Sequence, residues 1–330
     1  MNGAVQEIMG ELKVFAGRNS VHLAASVCEH LGRPLGDAKT FVFPDGELLV
    51  KLDEDVRGRD CFVILSTAQP VNDNLVELLI FIDCLRRASA RRVTVVTPYY
   101  GYGRQDRKDE GRVPITAKLV ANLITGARAD RVLAIDLHAA QIQGFFDIPM
   151  DHITATPIFL DYFRSMREEL GDLCLVSPDV GNMKVAEKVA NLLDGDLAII
   201  NKRRLSGSEV ATGKLIGTVE GKTVLMYDDM ISTAGTVVEA AKLVREAGAT
   251  KVIVAATHAV LAGPAIERLS TAPIDRIVVS DTVPLGDRAK PLEDKLTVLS
   301  CGRLLGEAIR NIHENKSVSA LFRNSAGPKR

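Results

Sequence analysis

Eight short runs of consecutive apolar residues alternate with longer stretches in which apolar residues recur at helical spacing. The runs are CFVILS, RVTVVTPYY, DRVLAIDL, LCLVSPD, LAIIN, KTVLMYDD, KVIVAATH and DRIVVSD. A strand that is apolar at consecutive positions is buried on both faces, which is typical of a parallel sheet covered by helices. The pattern therefore predicts an α/β protein.

The two halves of the chain repeat the same order of elements. The first half runs through a strand at 62–67, the helix NLVELLIFIDCLRRA, a strand at 93–97 and ADRVLAIDLH, and the second through a strand at 223–227, the helix TVVEAAKLVREAGA, a strand at 252–256 and IDRIVVSDTV. Even an Asp-Arg pair recurs, at Asp130-Arg131 and Asp275-Arg276. We predict two tandem doubly wound parallel-sheet domains related by internal duplication, over 1–152 and 153–330, packed tightly around a cleft.

The composition excludes several classes of protein. Of 330 residues, 46% are hydrophobic and 25% charged, as in ordinary globular proteins, and the net charge of −1 argues against a nucleic-acid or membrane-coating role. Glu7 and Glu11 interrupt the N-terminal stretch where a signal peptide would be apolar, so we expect a cytoplasmic protein. Five cysteines without a C-x-x-C pair indicate small buried side chains rather than disulfides or zinc ligands.

The most informative segment, here called the acid-pair loop, spans residues 228–236. Asp228 and Asp229 end an apolar strand, Ser232-Thr233-Ala234-Gly235-Thr236 follows, and a helix begins at once. Backbone N–H groups of such a loop and helix N-terminus favour a phosphate, while the carboxylates suit vicinal hydroxyls or a hydrated Mg²⁺. The structural alternative is a T-x-x-E capping box formed by Thr236 and Glu239.

Two further segments contain turn or loop signals. TFVFPDGELLVKL places Pro44-Asp45-Gly46 between two strand-like runs, which predicts a tight hairpin turn, structural or functional. The glycine-punctuated loop YGYGRQDRKDEGR follows a strand and contains four cations, Arg104, Arg107, Lys108 and Arg112. Cations at the carboxyl end of a strand favour a polyphosphate over a merely solvated charged face.

A histidine and a basic triplet remain open to two interpretations each. His138 follows a predicted strand, where a lone histidine is more often a core residue than a ligand. Lys202-Arg203-Arg204 precedes LSGSEVATG. Such a triplet occurs in nucleic-acid patches, but on a nearly neutral chain a flexible cationic loop that closes over a phosphoryl group fits better.

Six ordered motifs carry a family resemblance. They are FPDGE at 43–47, YGYGRQDRK at 100–108, DLHAAQIQGFFDIP at 136–149, SPDVG at 177–181, KRR at 202–204 and the acid-pair loop. From about residue 12 to about residue 315, the chain resembles the ribose-phosphate diphosphokinases, whose fold is of the phosphoribosyltransferase type. The resemblance implies a transfer of the diphosphoryl group of Mg-ATP to the anomeric hydroxyl of ribose 5-phosphate, with release of AMP.

The same resemblance implies roles for individual residues. ATP would be bound by Phe43, Asp45, Glu47, Arg104, Gln105, Asp109 and His138. Ribose 5-phosphate would be bound by Arg204, Asp228, Asp229, Ser232, Thr233, Ala234, Gly235 and Thr236. The catalytic cations would be Lys202 and Arg204, and Mg²⁺ would be held through His138 and Asp179. The hairpin residues Phe43, Asp45 and Glu47 would serve ATP bound mainly by another subunit of a homo-hexamer built from dimers, controlled by phosphate and ADP.

Three alternatives stand beside this interpretation. A phosphoribosyltransferase would share the acid-pair loop but have no use for a second repeat, and a nucleic-acid binder would depend on the KRR triplet alone. A non-catalytic regulatory paralogue would keep the fold. It is suggested by departures from the family pattern: Ser232 replaces an acid, Ala234 replaces glycine, and Asn182-Met183 and Asn201 are unusual. None of these departures removes an implied ligand.

Overall fold

The computed structural model describes residues 10–178, 181–201 and 214–322. The chain forms two compact units. Unit 1 contains the described residues up to 155 together with 282–284 and 300–322, and unit 2 contains those of 156–281 and 285–299. Within these residues no helix combines the length and the hydrophobicity needed to cross a bilayer.

Unit 1 is built on a five-stranded parallel sheet. Its elements are β1 (Leu12–Ala16), α1 (Val21–Leu31), β2 (Ala38–Val42), β3 (Leu48–Leu52), β4 (Asp60–Ile64), α2 (Val71–Arg87), β5 (Arg92–Thr97), α3 (Thr116–Gly126), β6 (Arg131–Ile135), a 3₁₀ helix (Ala140–Phe145) and β7 (Met150–Ile153). The strands lie in the order β1-β4-β5-β6-β7, while β2 and β3 form a separate antiparallel hairpin. All five residues of β4 are buried, as its continuous apolar run predicts.

Unit 2 is built on a seven-stranded sheet. Its elements are α4 (Thr156–Ser165), α5 (Arg167–Leu170), β8 (Leu173–Ser177), α6 (Met183–Leu193), β9 (Asp196–Asn201), β10 (Lys214–Ile216), β11 (Thr223–Met230), α7 (Gly235–Glu246), β12 (Lys251–His258), α8 (Ala265–Thr271), β13 (Arg276–Ser280), a 3₁₀ helix (Gly286–Lys295) and β14 (Leu296–Leu299). The order is β10-β9-β8-β11-β12-β13-β14, and every pair is parallel except β9 with β10.

The two sheets share one topology. The order β1-β4-β5-β6-β7 of unit 1 corresponds strand for strand to β8-β11-β12-β13-β14 of unit 2. The predicted fold, two tandem parallel-sheet α/β units related by duplication, is confirmed. The units differ in the two strands that follow α1 in unit 1 and α6 in unit 2. Strands β2 and β3 form a two-stranded sheet of their own, whereas β9 and β10 extend the seven-stranded sheet.

The C-terminal segment returns to unit 1, which the predicted limits of 153–330 for the second domain do not anticipate. Helix α9 (Gly302–His313) packs against α1. A Cβ at Gly302 would lie 2.1 Å from Oγ of Ser26, and one at Gly306 would lie 2.7 Å from the ring of His30. The two glycines are one helical turn apart and allow the close approach, and Glu307 lies 2.7 Å from Nε2 of His30. Long-range packing of an amphipathic helix, rather than its position in the chain, decides this placement.

Candidate functional site

The acid-pair loop of unit 2 brings its predicted residues together at the carboxyl end of β11. Asp228 and Asp229 are half-buried near the last residue of the strand, Met230. Asp228 lies beside Ala256 of the neighbouring strand β12. The backbone N–H of Asp229 donates to Oδ1 of Asp228 over 2.8 Å. Two carboxylates at the carboxyl end of a buried parallel strand lie where open α/β sheets bind ligands.

Helix α7 begins at Gly235, within the acid-pair loop, with Ala234 as its N-cap residue at φ +60°. Thr236 therefore lies inside the first turn, so the capping-box alternative, which needs Thr236 at the N-cap, is wrong. The first helical hydrogen bond runs from Val238 N–H to Ala234 C=O. The N–H groups of residues 235–237 precede it and project beyond the end of the helix, which favours an anion there.

The carbonyl groups of the acid-pair loop accept hydrogen bonds from the segment after β12. Ile231 and Ser232 accept hydrogen bonds from the backbone N–H groups of Leu261 and Ala262, both at 3.0 Å. The carbonyl of Thr233 instead accepts Nη1 of Arg268, on α8, over 3.0 Å. The segment after β12 thus holds the back of the loop in place. Sequence reasoning missed Arg268, because an exposed arginine on a short helix gives no signal in the sequence.

In unit 1, the glycine-punctuated loop of residues 100–112 follows β5, as predicted. Gly101 lies so close to the segment after β4 that a Cβ there would be 2.3 Å from the carbonyl oxygen of Thr67, so the position requires glycine. Gln105 is joined to the start of α3, because its carbonyl accepts Ala117 N–H over 3.1 Å and its side chain accepts the Thr116 hydroxyl over 2.5 Å. Arg104, beside it, is exposed.

Burial raises the pKa of Tyr100, which starts the same loop. Its hydroxyl donates to the carbonyl of Ala117 over 2.8 Å. The phenol therefore stays neutral and fixes the loop against α3. Asp109, also predicted to contact ATP, is exposed farther along this loop.

His138 is exposed just beyond the carboxyl end of β6, so it is not the core residue that a lone histidine would ordinarily be. Asp136, two residues earlier, takes a positive φ of +36°, and its Oδ2 accepts Ala155 N–H over 3.0 Å. Nε2 of Gln141 donates to Oδ2 of Asp106 over 2.7 Å. This bond joins the loop after β5 to the segment after β6, so the structure brings two of the predicted ATP motifs together.

The predicted hairpin turn lies between β2 and β3, in a separate two-stranded sheet. Phe43, Asp45 and Glu47 are all exposed in this turn. The hairpin is joined to α2 by Thr40, whose hydroxyl donates to Oε1 of the fully buried Glu77 over 2.9 Å. The sequence analysis did not identify Glu77. An acidic residue on the apolar face of a predicted helix would have been the signal for it.

Three predicted site residues, Asp179, Lys202 and Arg204, lie outside the described part of the chain, as does Arg203 of the basic triplet. Across the described ranges, no three side chains of His, Cys, Asp or Glu converge into a group that would hold a metal ion by themselves. Magnesium needs few protein ligands, since it keeps several waters and shares the oxygens of bound phosphates.

The fold and the loops at its strand ends define an α/β enzyme of the phosphoribosyltransferase type with an internal duplication. Two family profiles match, one described as the N-terminal domain of ribose phosphate pyrophosphokinase over residues 12–127 and one as the phosphoribosyl synthetase-associated domain over residues 179–323. Together they cover most of the chain, so the chain belongs to the ribose-phosphate pyrophosphokinase family. The predicted class of enzyme, a ribose-phosphate diphosphokinase, is confirmed.

Individual relatives match this chain over nearly their whole lengths. The ribose-phosphate pyrophosphokinase of Rhodopirellula baltica is 57% identical over 317 residues, 96% of this chain and 99% of that protein. The one from Nostoc sp. is 51% identical over 313 residues, 94% of each. The crystal structure of phosphoribosylpyrophosphate synthetase from Mycobacterium smegmatis superposes with a TM-score of 0.85 at 43% identity, covering 92% of this chain and 99% of that chain.

Proposed function

We propose that this chain transfers the diphosphoryl group of Mg-ATP to the anomeric hydroxyl of ribose 5-phosphate, giving phosphoribosyl diphosphate and AMP. The observation that carries the proposal is the acid-pair loop, in which two half-buried carboxylates end β11 and α7 begins at Gly235. A sugar phosphate needs both parts, because carboxylates accept bonds from hydroxyls while N–H groups donate to phosphate.

Ribose 5-phosphate would bind to unit 2 alone. Asp228 and Asp229 would accept hydrogen bonds from its vicinal hydroxyls, and residues 232–236 would receive the 5-phosphate. The helix dipole of α7 adds to this preference for a dianion. Binding in this way would fix the sugar while leaving its anomeric hydroxyl to be oriented for attack.

ATP would bind to the loops of unit 1 that Asp106 and Gln141 join. Arg104, Gln105, Asp109 and His138 would contact the nucleotide, with Phe43, Asp45 and Glu47 supplied by the hairpin of a neighbouring subunit. This shared site implies a homo-oligomer, and we propose a hexamer built from dimers. The proposal also includes a cytoplasmic location.

The described residues fit a magnesium ion. Magnesium prefers oxygen donors and keeps part of its water shell. The half-buried carboxylates of Asp228 and Asp229 have this chemistry, while His138 would act through a bound water, since imidazole suits other metals better. Bound magnesium would neutralise charge on the phosphates of ATP. Asp179 stays a predicted second ligand.

Transfer of a diphosphoryl group depends chiefly on in-line positioning and charge neutralisation, so no side-chain nucleophile is required. Lys202 and Arg204 are the cations proposed to stabilise charge on the transferred group. Lys202→Ala should lower kcat by at least about 100-fold with little change in KM.

The decisive assay measures AMP formed from ATP, with and without ribose 5-phosphate and Mg²⁺. Asp228→Asn and Asp229→Asn should lose most activity, whereas Asp161→Asn, an exposed position on α4, should keep it. If the wild type binds ATP but forms no AMP, while a Ser232→Asp, Ala234→Gly double variant does, the chain is a regulatory paralogue instead.

A mixing experiment tests the shared ATP site. Inactive Asp45→Ala and Arg104→Ala variants, unfolded and refolded together, should regain part of the activity, because mixed assemblies contain some intact sites. If co-assembled mixtures stay inactive, the whole ATP site lies within one chain.

A further inference from the structure

The backbone of the acid-pair loop is held almost entirely by backbone donors. The carbonyls of Ile231 and Ser232 accept N–H groups from residues 261 and 262, and that of Ala234 accepts the N–H of Val238. These bonds do not depend on side-chain identity. The carbonyl of Thr233 is the exception among the four, since its donor is the guanidinium of Arg268.

The direction of the Thr233 carbonyl decides where the next N–H points. In a trans peptide unit, the C=O and N–H groups point in opposite directions. With the carbonyl of Thr233 turned toward Arg268, the N–H of Ala234 points away from α8. Arg268 therefore orients one of the donors proposed to hold the 5-phosphate, although it lies behind the loop.

The guanidinium also lies against the start of helix α7. A Cβ at Gly235 would be 3.3 Å from Nη1 of Arg268. A cation at a helix N-terminus opposes the helix dipole and is unfavourable by itself. A bound dianion is attracted by both the helix dipole and the cation, so these two attractions offset the repulsion between the cation and the dipole.

We infer that Arg268 is a positioning residue for ribose 5-phosphate, acting through the carbonyl of Thr233 and through its charge at the start of α7. The inference rests on the proposed function, because it assigns the 5-phosphate to this loop. A residue that strengthens binding equally in the ground state and the transition state changes KM rather than kcat.

The test compares Arg268→Ala and Arg268→Lys with Arg164→Ala. Arg164 is a matched control, an exposed arginine of the same unit that donates to a backbone carbonyl, that of Leu192, over 3.3 Å. Arg268→Ala should raise the KM for ribose 5-phosphate about tenfold or more, with kcat within about threefold and the KM for ATP within about twofold. Arg268→Lys keeps the positive charge and an N–H donor for the carbonyl of Thr233, so its KM should fall between those of wild type and Arg268→Ala.

Amide hydrogen exchange gives a readout that needs no activity. Peptides covering residues 231–237 should exchange at least about threefold faster in Arg268→Ala, and at the wild-type rate in Arg164→Ala. If Arg268→Ala does not fold, Arg268→Lys carries both measurements. Unchanged loop exchange, or an unchanged KM in an active enzyme, overturns the inference and leaves the proposed function standing. A wild type that forms no AMP overturns the proposed function, and the role of Arg268 with it.

Discussion

Asp130 and Asp275 make the same pair of hydrogen bonds in the two halves of the chain. The N–H of Asp130 donates to the carbonyl of Val93 over 2.9 Å, and its Oδ2 accepts the N–H of that same residue over 2.7 Å. Asp275 does the same with Val252, over 2.9 and 2.6 Å. Each aspartate thereby completes the pairing at the start of the neighbouring strand, β5 in unit 1 and β12 in unit 2, and the internal duplication extends to single side chains.

Loss of either carboxylate should lower the free energy of unfolding. Arg86 pairs with Asp130, and Arg245 pairs with Asp275. Asp130→Ala and Asp275→Ala each leave a strand N–H without its acceptor, which should cost about 1–3 kcal/mol. The ion pairs add little, because the carboxylates are more than a third exposed. Urea titrations measure the change, with Asp161→Ala as control, and equal stability of all three variants would contradict the expectation.

The close contact of α9 with α1 predicts a steric effect. Gly306→Ala places a methyl group against the ring of His30 and should lower the free energy of unfolding by about 1–3 kcal/mol. Gly126→Ala is the control, since a Cβ there meets nothing within 4 Å. That variant should be neutral or slightly stabilised. Urea denaturation measures both variants. If Gly306→Ala has the same denaturation midpoint as wild type, α9 does not pack this way in solution.

Ala234 holds a left-handed conformation that costs an alanine about 1–2 kcal/mol. Ala234→Gly removes this strain but loses a buried methyl group, about 0.8 kcal/mol, and adds freedom to the unfolded chain. The opposed effects should leave stability within about 1 kcal/mol of wild type, with activity retained. Ala240→Gly, buried within α7 where no strain is relieved, should lose more than about 1 kcal/mol. Thermal unfolding distinguishes them, and equal losses would contradict the role of φ.

Ser232 tests the charge of the loop. Ser232→Asp puts a negative charge beside the proposed phosphate site and should raise the KM for ribose 5-phosphate, by no more than about tenfold. Ser232→Asn is the neutral control of similar size and should change KM less. If the asparagine and aspartate variants have the same KM, charge at this position does not affect the phosphate.

The buried cysteines predict alkaline instability. Burial raises the pKa of Cys28 to about 11 and that of Cys61 to about 12. A group whose pKa is raised by folding contributes stability below its unfolded pKa, here 9.0, and this is lost as pH rises toward the folded values. The free energy of unfolding should therefore fall between pH 9 and 11, and less steeply in Cys61→Ala. A slope identical to wild type would contradict the assignment to Cys61.

Thiol burial was itself a sequence prediction, and it is confirmed for four of the five cysteines, with Cys84 half-buried. The eight apolar runs all form strands. A parallel strand that is buried on both faces needs apolar residues at consecutive positions, so its sequence alone identifies it. The repeat identified the duplication, and the paired aspartates with their short loop identified the phosphate-binding candidate. These features are local, so a single stretch of sequence contains them.

The tertiary structure alone decided the rest. It returns α9 to unit 1, sets Ala234 at a positive φ, buries Glu77 under the hairpin, and brings Arg268 to the carbonyl of Thr233. The contacts of Glu77 and Arg268 join residues more than 30 positions apart in the chain. The positive φ of Ala234 depends on how the neighbouring segments hold the loop. Periodicity and motifs report the environment of a residue along its own element, whereas the partner across the fold is chosen by packing of the whole chain.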